Sequence, residues 1–551
     1  MPVINFKYSD LCSLLGKEVP QETLIERIPL IGADMHQTEG FTEEMSVEFF
    51  PDRPDLFSVE GLARALRAFL DIEPGLKRYD IEDSDHAAAV EDPVLDIRPY
   101  FSCAVVKGLD VTDDLIRSMM ELQEKLHMTI GRKRSKLAIG LHDLDKVKPP
   151  FRYTAVRPDE VSFIPLNGTV KMDLNEILRS HDKGREYAHL LAGKERYPII
   201  FDKNNDVLSF PPIINGVLTT VTTRTKNIFV DVTGNDRKAV KGALDIVATA
   251  LAERGGRICS VKMTGCEERT SPDLSGTRHS VSVGECGRFL GIDLSGDDMK
   301  KAVERMGMSA SVSGDTADIL IPSTRLDIMH KVDIFEDVAI GYGFERFGGA
   351  HTSQHTSGES GPVTSLSDRL RDVMIGLGFT EVTTLTLSNP KDEFERSGLP
   401  EKVSTRIMNP ITEDHTCLRS YLMPSLMRIL RHNKHRDLPQ RIFEIGFVSD
   451  EHRTVPRICG MAAASRTSFT EIKSITESVV RELNIEYKVL PCGHRTFIDG
   501  RGAFISRNGE NIGFFGEVSP NVITDYDITH PVIMFEIDLS RIAGEKAGSL
   551  F

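Results

Sequence analysis

The sequence predicts an α+β protein made of several domains. Three observations support this. The 551 residues exceed what a single hydrophobic core usually serves. Short strand-like apolar runs alternate with segments of helical periodicity along the whole chain. A stretch rich in Gly, Ser and Thr at residues 348–361 contains almost no apolar residue, which is typical of a linker. We therefore expect three or four domains.

Composition narrows the class of protein. A hydrophobic content of 40% and a charged content of 27% are ordinary for a folded chain. The net charge of -15 means that any contact with nucleic acid has to use local basic patches. The eight cysteines form no CxxC pair, so reduced thiols are expected. No apolar run approaches the roughly 20 residues of a membrane helix, and residues 1–10 lack a signal-peptide pattern, so the expected location is cytoplasmic.

The N-terminal part contains one clear helix signal. Ser58 is suited to cap a helix in which Leu62, Leu66 and Phe69 form an apolar stripe. Between residues 89 and 261, strand-like runs alternate with helical segments, which predicts a mixed α and β domain. Residues 262–347 form a further compact region, and residues 362–551 combine two helices with strand runs that favour a largely antiparallel sheet.

The most distinctive feature is an acidic segment at the end of the third region. Residues 332–340 are predicted to be helical, so Asp333, Glu336 and Asp337 fall at positions i, i+3 and i+4 on one face. Asp327, six residues before Asp333, can reach the same face. An all-oxygen cluster suits a hard cation such as Mg²⁺, although carboxylates alone do not distinguish Mg²⁺ from Mn²⁺ or Ca²⁺. The alternative is a solvated acidic face favoured by the helix dipole.

Seven segments in order resemble one family, the β subunits of phenylalanyl-tRNA synthetase in their shorter archaeal and eukaryotic cytosolic form. The resemblance spans nearly the whole chain. Two of these segments are the acidic helix and the helix start at residues 52–55. The other five are Ala138–Asp145, Ser209–Asn215, Phe229–Gly234, Arg441–Gly446 and Asn511–Pro520.

The resemblance implies four domains. They are an N-terminal B1-like domain (residues 1–88), a B3/B4-type editing domain (89–261), a B5-type domain with the acidic Mg²⁺ site (262–347), and a class II synthetase catalytic-like domain built on an antiparallel sheet (362–551). It implies an α2β2 enzyme that attaches L-phenylalanine to tRNA(Phe) using ATP, with phenylalanine and ATP bound mainly by the α subunit. In agreement, the last domain has no G-x-G-x-G-x-x-R run, so no catalytic residue for aminoacylation is expected in this chain.

The resemblance also implies site residues. The family's Mg²⁺ ligands follow a spacing that Asp327, Asp333, Glu336 and Asp337 match position for position, and the expected role is structural, at the contact with the α subunit. Four carboxylates overcompensate one cation, so positive groups are expected nearby.

Ser209 and Asn215 are the best matches to the family's editing pocket, which hydrolyses tyrosine mischarged onto the tRNA. The alternative is that they are turn residues around Pro211 and Pro212. Residues 220–222 lie where archaeal relatives carry an arginine, and Arg224 follows.

Two basic stretches, residues 131–136 and 428–436, either contact tRNA phosphates or form solvated faces. Two rival functions remain at this point. One is a free-standing hydrolase of mischarged tRNA, and the other is a non-catalytic tRNA-binding or assembly scaffold.

Overall fold

The computed structural model describes residues 2–35, 40–266, 268–349 and 357–543. The chain divides into two compact units, Met1–Ala350 and His351–Phe551. Residues 350–356 of the expected linker lie outside the described residues. No helix among the described residues is long and apolar enough to cross a membrane.

The first unit contains short strands and ten α-helices within the described residues. Its strands are β1 (Val3–Lys7), β2 (Ala33–Met35), β3 (Glu44–Phe49), β4 (Ile81–Glu82), β5 (Ala87–Val90), β6 (Tyr100–Lys107), β7 (Leu137–Asp143), β8 (Phe151–Val156), β9 (Ser162–Phe163), β10 (Met172–Asp173), β11 (Tyr197–Phe201), β12 (Val207–Phe210), β13 (Ile214–Asn215), β14 (Ile228–Gly234), β15 (Arg257–Cys259), β16 (Val261–Gly265), β17 (Arg269–Ser271), β18 (Thr277–Ser282), β19 (Ser309–Ser313) and β20 (Thr316–Ile321). Its helices are α1 (Tyr8–Leu15), α2 (Gln21–Arg27), α3 (Val59–Phe69), α4 (Asp113–Met128), α5 (Leu174–Ser180), α6 (Asp182–Tyr187), α7 (Arg237–Glu253), α8 (Val283–Leu290), α9 (Gly296–Arg305) and α10 (Lys331–Tyr342).

Two larger sheets position the candidate site in this unit. One has seven strands in the order β13-β12-β11-β8-β5-β16-β17, and the other has five in the order β4-β15-β6-β14-β7. The central strand β14 runs antiparallel to both β6 and β7. The predicted boundary at residue 261 coincides with the first residue of β16, which pairs in parallel with β5. Two three-stranded sheets, β1-β3-β2 and β18-β20-β19, lie toward the two ends of the unit in sequence.

Side chains along each strand of the five-stranded sheet point alternately to its two faces, and each face packs against a different core. Val230 and Val232 of β14 face a large core that also contains apolar residues of α4 and α7. Phe229 belongs to a second core between the two larger sheets, where its ring stacks on Phe151 with centroids 4.1 Å apart. Since successive strand residues point to opposite faces, Asp231 lies on the same face as Phe229.

Local sequence signals explain the helix ends. The Ser58 hydroxyl accepts a hydrogen bond from the Gly61 backbone N–H (3.2 Å), which confirms the expected cap of α3. Gly61 itself is required by close packing, because a Cβ there would lie 1.9 Å from the Asp55 carbonyl oxygen. The Asp333 carboxylate accepts from the backbone N–H of Met329 (2.8 Å) and of His330 (2.7 Å), so one of the predicted acids caps α10.

The second unit is built on an antiparallel sheet, as expected. The strands of this unit are β21 (Thr380–Glu381), β22 (Leu387–Ser388), β23 (Cys417–Leu418), β24 (Gln440–Asp450), β25 (Arg453–Ala463), β26 (Lys488–Pro491), β27 (Phe497–Arg507), β28 (Glu510–Val518) and β29 (Val532–Asp538). The main sheet has the strand order β21-β24-β25-β29-β28-β27-β26, and among its described strands only the short edge strand β21 pairs in parallel. Strands β22 and β23 form a separate two-stranded sheet. The helices are α11 (Pro362–Gly376), α12 (Met423–His432), α13 (Phe469–Glu482), α14 (Pro520–Asp525) and α15 (Ser540–Ala543). Separate apolar clusters cover the two faces of the sheet, one containing α12 and the other containing α11 and α13.

Candidate functional site

A cavity of about 440 Å³ lies where the edge strands of the two larger sheets meet α4. Ser209 on β12 and Asn215 on β13 are directly opposite each other in the antiparallel pair, and both line this cavity. Leu115, Met119 and Ile139 contribute an apolar wall. The structure therefore brings the two predicted residues together in one cavity of a size that suits a small ligand.

A chain of buried polar side chains reaches the cavity from the sheet. The His142 Nε2 and the Asp231 Oδ2 are 2.7 Å apart, and the His142 Nδ1 is 2.7 Å from the Thr219 hydroxyl oxygen. His142, Asp231 and Thr219 are all buried, and Asp231 and Thr219 line the cavity. Because both nitrogens of His142 are engaged, its ring is held in one orientation and fixes one oxygen of the Asp231 carboxylate.

Gly140 makes room for this arrangement. It is the cross-strand partner of Asp231 and shares a strand face with His142, two residues along β7. A Cβ at position 140 would lie 2.1 Å from the Asp231 Oδ2 and 2.6 Å from the His142 Nε2. A glycine is needed here because the two polar groups occupy the space that any side chain would take.

A second polar group stands at the other side of the cavity. Arg134 donates to the Ile213 carbonyl (2.9 Å) and to Glu124 (2.7 Å), so it ties the segment that carries Asn215 to α4.

The His127 Nε2 accepts from the Ile139 N–H (2.8 Å), which leaves its Nδ1 to donate to Glu124 (3.3 Å). Burial lowers the pKa of His127 to about 4. The hydrogen bond from His127, assisted by Arg134 and opposed by burial, lowers the pKa of Glu124 to about 2.

The basic stretch at residues 131–136 forms a tight turn beside this cavity. Arg132, Lys133 and Arg134 have φ angles of 45°, 53° and 64°, a left-handed conformation that is costly for residues with a side chain. Arg132 and Lys133 are exposed, while Arg134 is buried, so only part of the predicted basic patch faces solvent. Arg224 is exposed and does not line the cavity, whereas Thr220 and Val221 do.

The sequence patterns did not point to His142, Asp231 or Gly140, and they placed Arg134 only within the basic stretch at residues 131–136. A usable signal was present, because His142 and Asp231 interrupt otherwise apolar strand segments that the resemblance had already selected. A polar residue on the buried face of a strand needs a hydrogen-bond partner, so two such residues on neighbouring strands are expected to bond to each other. Which strands are neighbours is known only from the structure.

The predicted metal ligands lie on α10 and the segment before it. Asp337 is buried, Asp327 and Asp333 are partly buried, and Glu336 is exposed. Arg325 donates from one nitrogen, Nη2, to both Asp327 (2.7 Å) and Asp337 (2.7 Å). Among the described residues, no three histidine, cysteine, aspartate or glutamate side chains lie close enough to hold one ion.

The chemistry of these donors nevertheless fits a hard cation, since all are carboxylates. The expected positive group is present as Arg325, beside a second buried pair in which Arg53 donates two hydrogen bonds of 2.9 Å to Asp55. Burial opposes the charge on Arg325, but Asp337 and Asp327 outweigh it and raise its pKa above the ordinary value. The four side chains therefore fit Mg²⁺ by the type of atom that they offer. In this structure, two of the four carboxylates are hydrogen-bonded to Arg325.

In the second unit, two arginines of the sheet region are held by buried carboxylates. Arg419 pairs with Glu444 at 2.9 Å, and the Arg457 Nη1 pairs with Glu536 at 2.9 Å. The other oxygen of Glu536 accepts from two backbone N–H groups, those of Leu422 and Met423 at the start of α12. These arginines stabilise the fold and are not available for a phosphate group.

Family models match three parts of the chain. They are described as the B3/4 domain (residues 113–257), the tRNA synthetase B5 domain (279–344) and the phenylalanyl tRNA synthetase beta chain CLM domain (350–539). The order of these domains, and an antiparallel sheet that follows a mixed α and β unit, define a subunit of an aminoacyl-tRNA synthetase.

Similar proteins identify the family. The phenylalanine–tRNA ligase beta subunit of Methanosarcina acetivorans is 43% identical over 550 residues, which cover 99% of this chain and 100% of the relative. That of Archaeoglobus fulgidus is 43% identical over 544 residues, or 98% of both chains. The crystal structure of an N-terminal fragment of the phenylalanyl-tRNA synthetase beta subunit from Pyrococcus horikoshii superposes with a TM-score of 0.60 at 39% identity, covering 62% of this chain and all of the fragment. The chain belongs to the phenylalanine–tRNA ligase β subunit family, which confirms the resemblance and the α+β fold class.

Proposed function

We propose that this chain works as the β subunit of a phenylalanine–tRNA ligase, joined with an α subunit in an α2β2 assembly that attaches L-phenylalanine to tRNA(Phe) in the cytoplasm. The observation that carries this proposal is the identity of 43% over 99% of the chain and the full length of the relative. A free-standing hydrolase would not need the second unit, with its complete antiparallel sheet and two apolar clusters.

The second unit supports a division of labour in which the α subunit binds ATP and phenylalanine. Class II chemistry places arginines on the phosphates of ATP, but Arg419 and Arg457 are committed to buried carboxylates. The role that remains for this unit is to bind the α subunit. Met408 and Ile411 leave 91% and 100% of their surface exposed, which is unusual for large apolar side chains and suits burial against a partner.

Phenylalanine-dependent ATP–pyrophosphate exchange tests this role. We expect no exchange by the chain alone, exchange after addition of the α subunit from the same organism, and co-elution of the two on a sizing column. Exchange by the chain alone would contradict the division of labour. Failure of the two subunits to associate would contradict the subunit function itself and favour the rival hydrolase or scaffold.

We further propose that the cavity lined by Ser209, Asn215 and Asp231 hydrolyses tyrosine mischarged onto tRNA(Phe). An apolar pocket rejects an added hydroxyl by only about a hundredfold, so a ligase for phenylalanine benefits from a second site that selects tyrosine. The cavity combines an apolar wall for an aromatic ring with buried polar groups for a phenol. His142 and Thr219 hold the Asp231 carboxylate ready to accept the phenol hydrogen. The exposed Arg132 and Lys133 provide positive charge beside the cavity for the tRNA backbone.

Deacylation of Tyr-tRNA(Phe) by the α–β complex tests the editing proposal. We expect hydrolysis by the unmodified complex and a loss of at least tenfold in Ser209→Ala and Asn215→Ala, with pyrophosphate exchange unchanged. Ser180→Ala is a matched control, because Ser180 is exposed and does not line the cavity. Full hydrolysis by both cavity variants would refute this assignment, and an inactive unmodified complex would favour a subunit without proofreading.

We also propose that Asp327, Asp333, Glu336 and Asp337 hold Mg²⁺, with a structural role at the contact with the α subunit. The support is the family spacing, the all-carboxylate donor set, and the placement of all four residues on α10 and its leading segment. When bound, the ion would neutralise the mutual repulsion of these acids. Arg325 offsets part of that repulsion already by bridging Asp327 and Asp337.

Thermal unfolding with and without Mg²⁺ tests the metal proposal. Glu336 is exposed, so Glu336→Gln can remove a ligand without disturbing the core. We expect Mg²⁺ to raise the unfolding temperature of the unmodified chain or of its complex with the α subunit, and to have a smaller effect on Glu336→Gln. An equal Mg²⁺ effect on both proteins would exclude Glu336 from the ligand set.

A further inference from the structure

A second cavity in the first unit adjoins the proposed metal ligands through Arg325, but none of the functions described so far uses its interior. It has a volume of about 680 Å³ and is bounded by α3, α7, the segment at residues 73–81, the turn at residues 272–276 and the residues that precede Asp327. All three regions that the sequence separates within this unit contribute to its wall. Junctions of this kind commonly hold small ligands, and the volume is within the range of such sites.

The segment over the cavity is anchored at both ends. The Gly75 N–H donates to the Glu304 carbonyl (2.7 Å) on α9, and the Tyr79 hydroxyl donates to Glu253 on α7. This segment has no helix or strand between Glu73 and Asp80, yet these bonds hold it across the cavity. The enclosed space is therefore a defined feature of the fold.

Most of the arginines that line the cavity are already neutralised by carboxylates. The exception inside the cavity is Arg64, whose Nη1 donates to the Thr249 hydroxyl (2.9 Å) and whose Nη2 donates to the Asp55 backbone carbonyl (3.4 Å). Among the described residues, no carboxylate pairs directly with Arg64, although Asp55 and Glu253 lie near it and, against the effect of burial, help to raise its pKa. The neutralised pairs are Arg53 with Asp55, Arg67 with Glu253, and Arg325 with Asp327 and Asp337.

Arg78 is a second arginine of the cavity wall that forms no ion pair with the described residues. It is exposed on the segment over the cavity, and it forms no hydrogen bond or ion pair with any residue that the structure describes. An arginine presents a planar set of donors that matches a phosphate or carboxylate group. Arg64 and Arg78 thus place two guanidinium groups at the wall of one cavity, and Arg78 has no partner among the described residues, in a chain whose net charge is -15.

The rest of the wall favours a ligand with an organic body. Leu76, Tyr79 and Leu274 provide apolar and aromatic surface, while the hydroxyl-bearing residues Thr270 and Ser275 lie among them. An inorganic anion would leave most of the 680 Å³ unfilled. A body that is flat, partly apolar and polar at its edges matches this wall better.

We propose that this cavity binds a nucleoside phosphate, with Arg64 and Arg78 pairing with the phosphate group and the Tyr79 side of the wall receiving the base and sugar. This site is separate from the editing cavity and is independent of the functions proposed above.

Calorimetric titration of the full-length chain with AMP, adenosine and inorganic phosphate tests the proposal. We expect AMP to bind, and adenosine and phosphate to bind at least tenfold more weakly, since each lacks one half of the recognised group. We expect Arg64→Gln and Arg78→Gln each to weaken AMP binding by about tenfold, the usual effect of one charge-assisted contact. Arg117→Gln is the matched control, because Arg117 is exposed and lies outside the cavity.

Three results would overturn the assignment. They are no binding of AMP at millimolar concentration, AMP binding that neither arginine variant weakens, and adenosine or phosphate binding as tightly as AMP. Arg64→Gln removes the hydrogen bond to Thr249 and can lower stability. Arg78→Gln removes no contact with the described residues, so its affinity for AMP still tests the proposal if Arg64→Gln does not fold.

Discussion

Replacement of Gly140 by alanine is a direct test of the geometry that surrounds Asp231. The new Cβ would lie 2.1 Å from the Asp231 Oδ2 and 2.6 Å from the His142 Nε2, whereas real Cβ contacts are essentially never below 3.0 Å. Both groups are buried and bonded to each other, so neither can swing into solvent. The carboxylate, the imidazole or strand β7 has to move by close to 1 Å.

The expected magnitude follows from this displacement. Overpacking of a filled interior costs about 1–3 kcal/mol in the free energy of unfolding. A misplacement of about 1 Å in a group that positions a substrate costs on the order of a hundredfold in rate. We therefore expect Gly140→Ala to lower the rate of Tyr-tRNA(Phe) deacylation by about a hundredfold and to leave the chain folded.

The assay combines deacylation of Tyr-tRNA(Phe) by the α–β complex with thermal unfolding of the same samples. Gly348→Ala is the control, because no atom lies within 4 Å of the position that its new Cβ would occupy, and neither rate nor stability should change. Pyrophosphate exchange should be unaffected in both variants. If Gly140→Ala deacylates Tyr-tRNA(Phe) at the unmodified rate, the Asp231 carboxylate does not position the substrate and the argument fails.

Three further predictions concern the second unit. Glu536→Gln leaves its arginine partner buried without a full counter-charge and should lower the free energy of unfolding by about 3 kcal/mol in urea, whereas Glu510→Gln in an exposed pair should cost under about 1 kcal/mol. Met408→Asp combined with Ile411→Asp should weaken co-elution with the α subunit without changing the unfolding temperature, and undiminished co-elution would place the contact elsewhere. Burial raises the pKa of Glu393 from 4.5 to about 7, so the folded chain holds an extra proton and loses stability as the pH rises through that range. Glu393→Gln should therefore stabilise the chain by about 3 kcal/mol at pH 8 and by less than about 1 kcal/mol at pH 5, as measured by urea unfolding at each pH.

Helices with strong local signals were predictable from the sequence. The cap at Ser58 and the apolar stripe behind it place α3 correctly, and the acidic helix extends from Lys331 to Tyr342 around the predicted residues 332–340. These features depend on neighbours three or four positions away, which periodicity reveals.

The cavity that we propose for editing was predictable only in part. Ser209 and Asn215 came from the resemblance, and the structure shows why both line one space, since they are partners across β12 and β13. The role of His142 in holding Asp231 depends on two strands that are 89 residues apart in the chain. A single sequence contains no measure of that proximity.

The acidic segment shows most clearly which properties follow from the sequence and which depend on the tertiary structure. The spacing of Asp333, Glu336 and Asp337 determined by itself that three carboxylates share one helix and attract positive charge. Only the tertiary structure decided that Arg325 bridges Asp327 and Asp337, that Asp333 caps the helix, and that Glu336 is left exposed. The physical reason is that helix periodicity sets the order of side chains around an axis, while their partners and their burial are set by packing against elements that are distant in sequence.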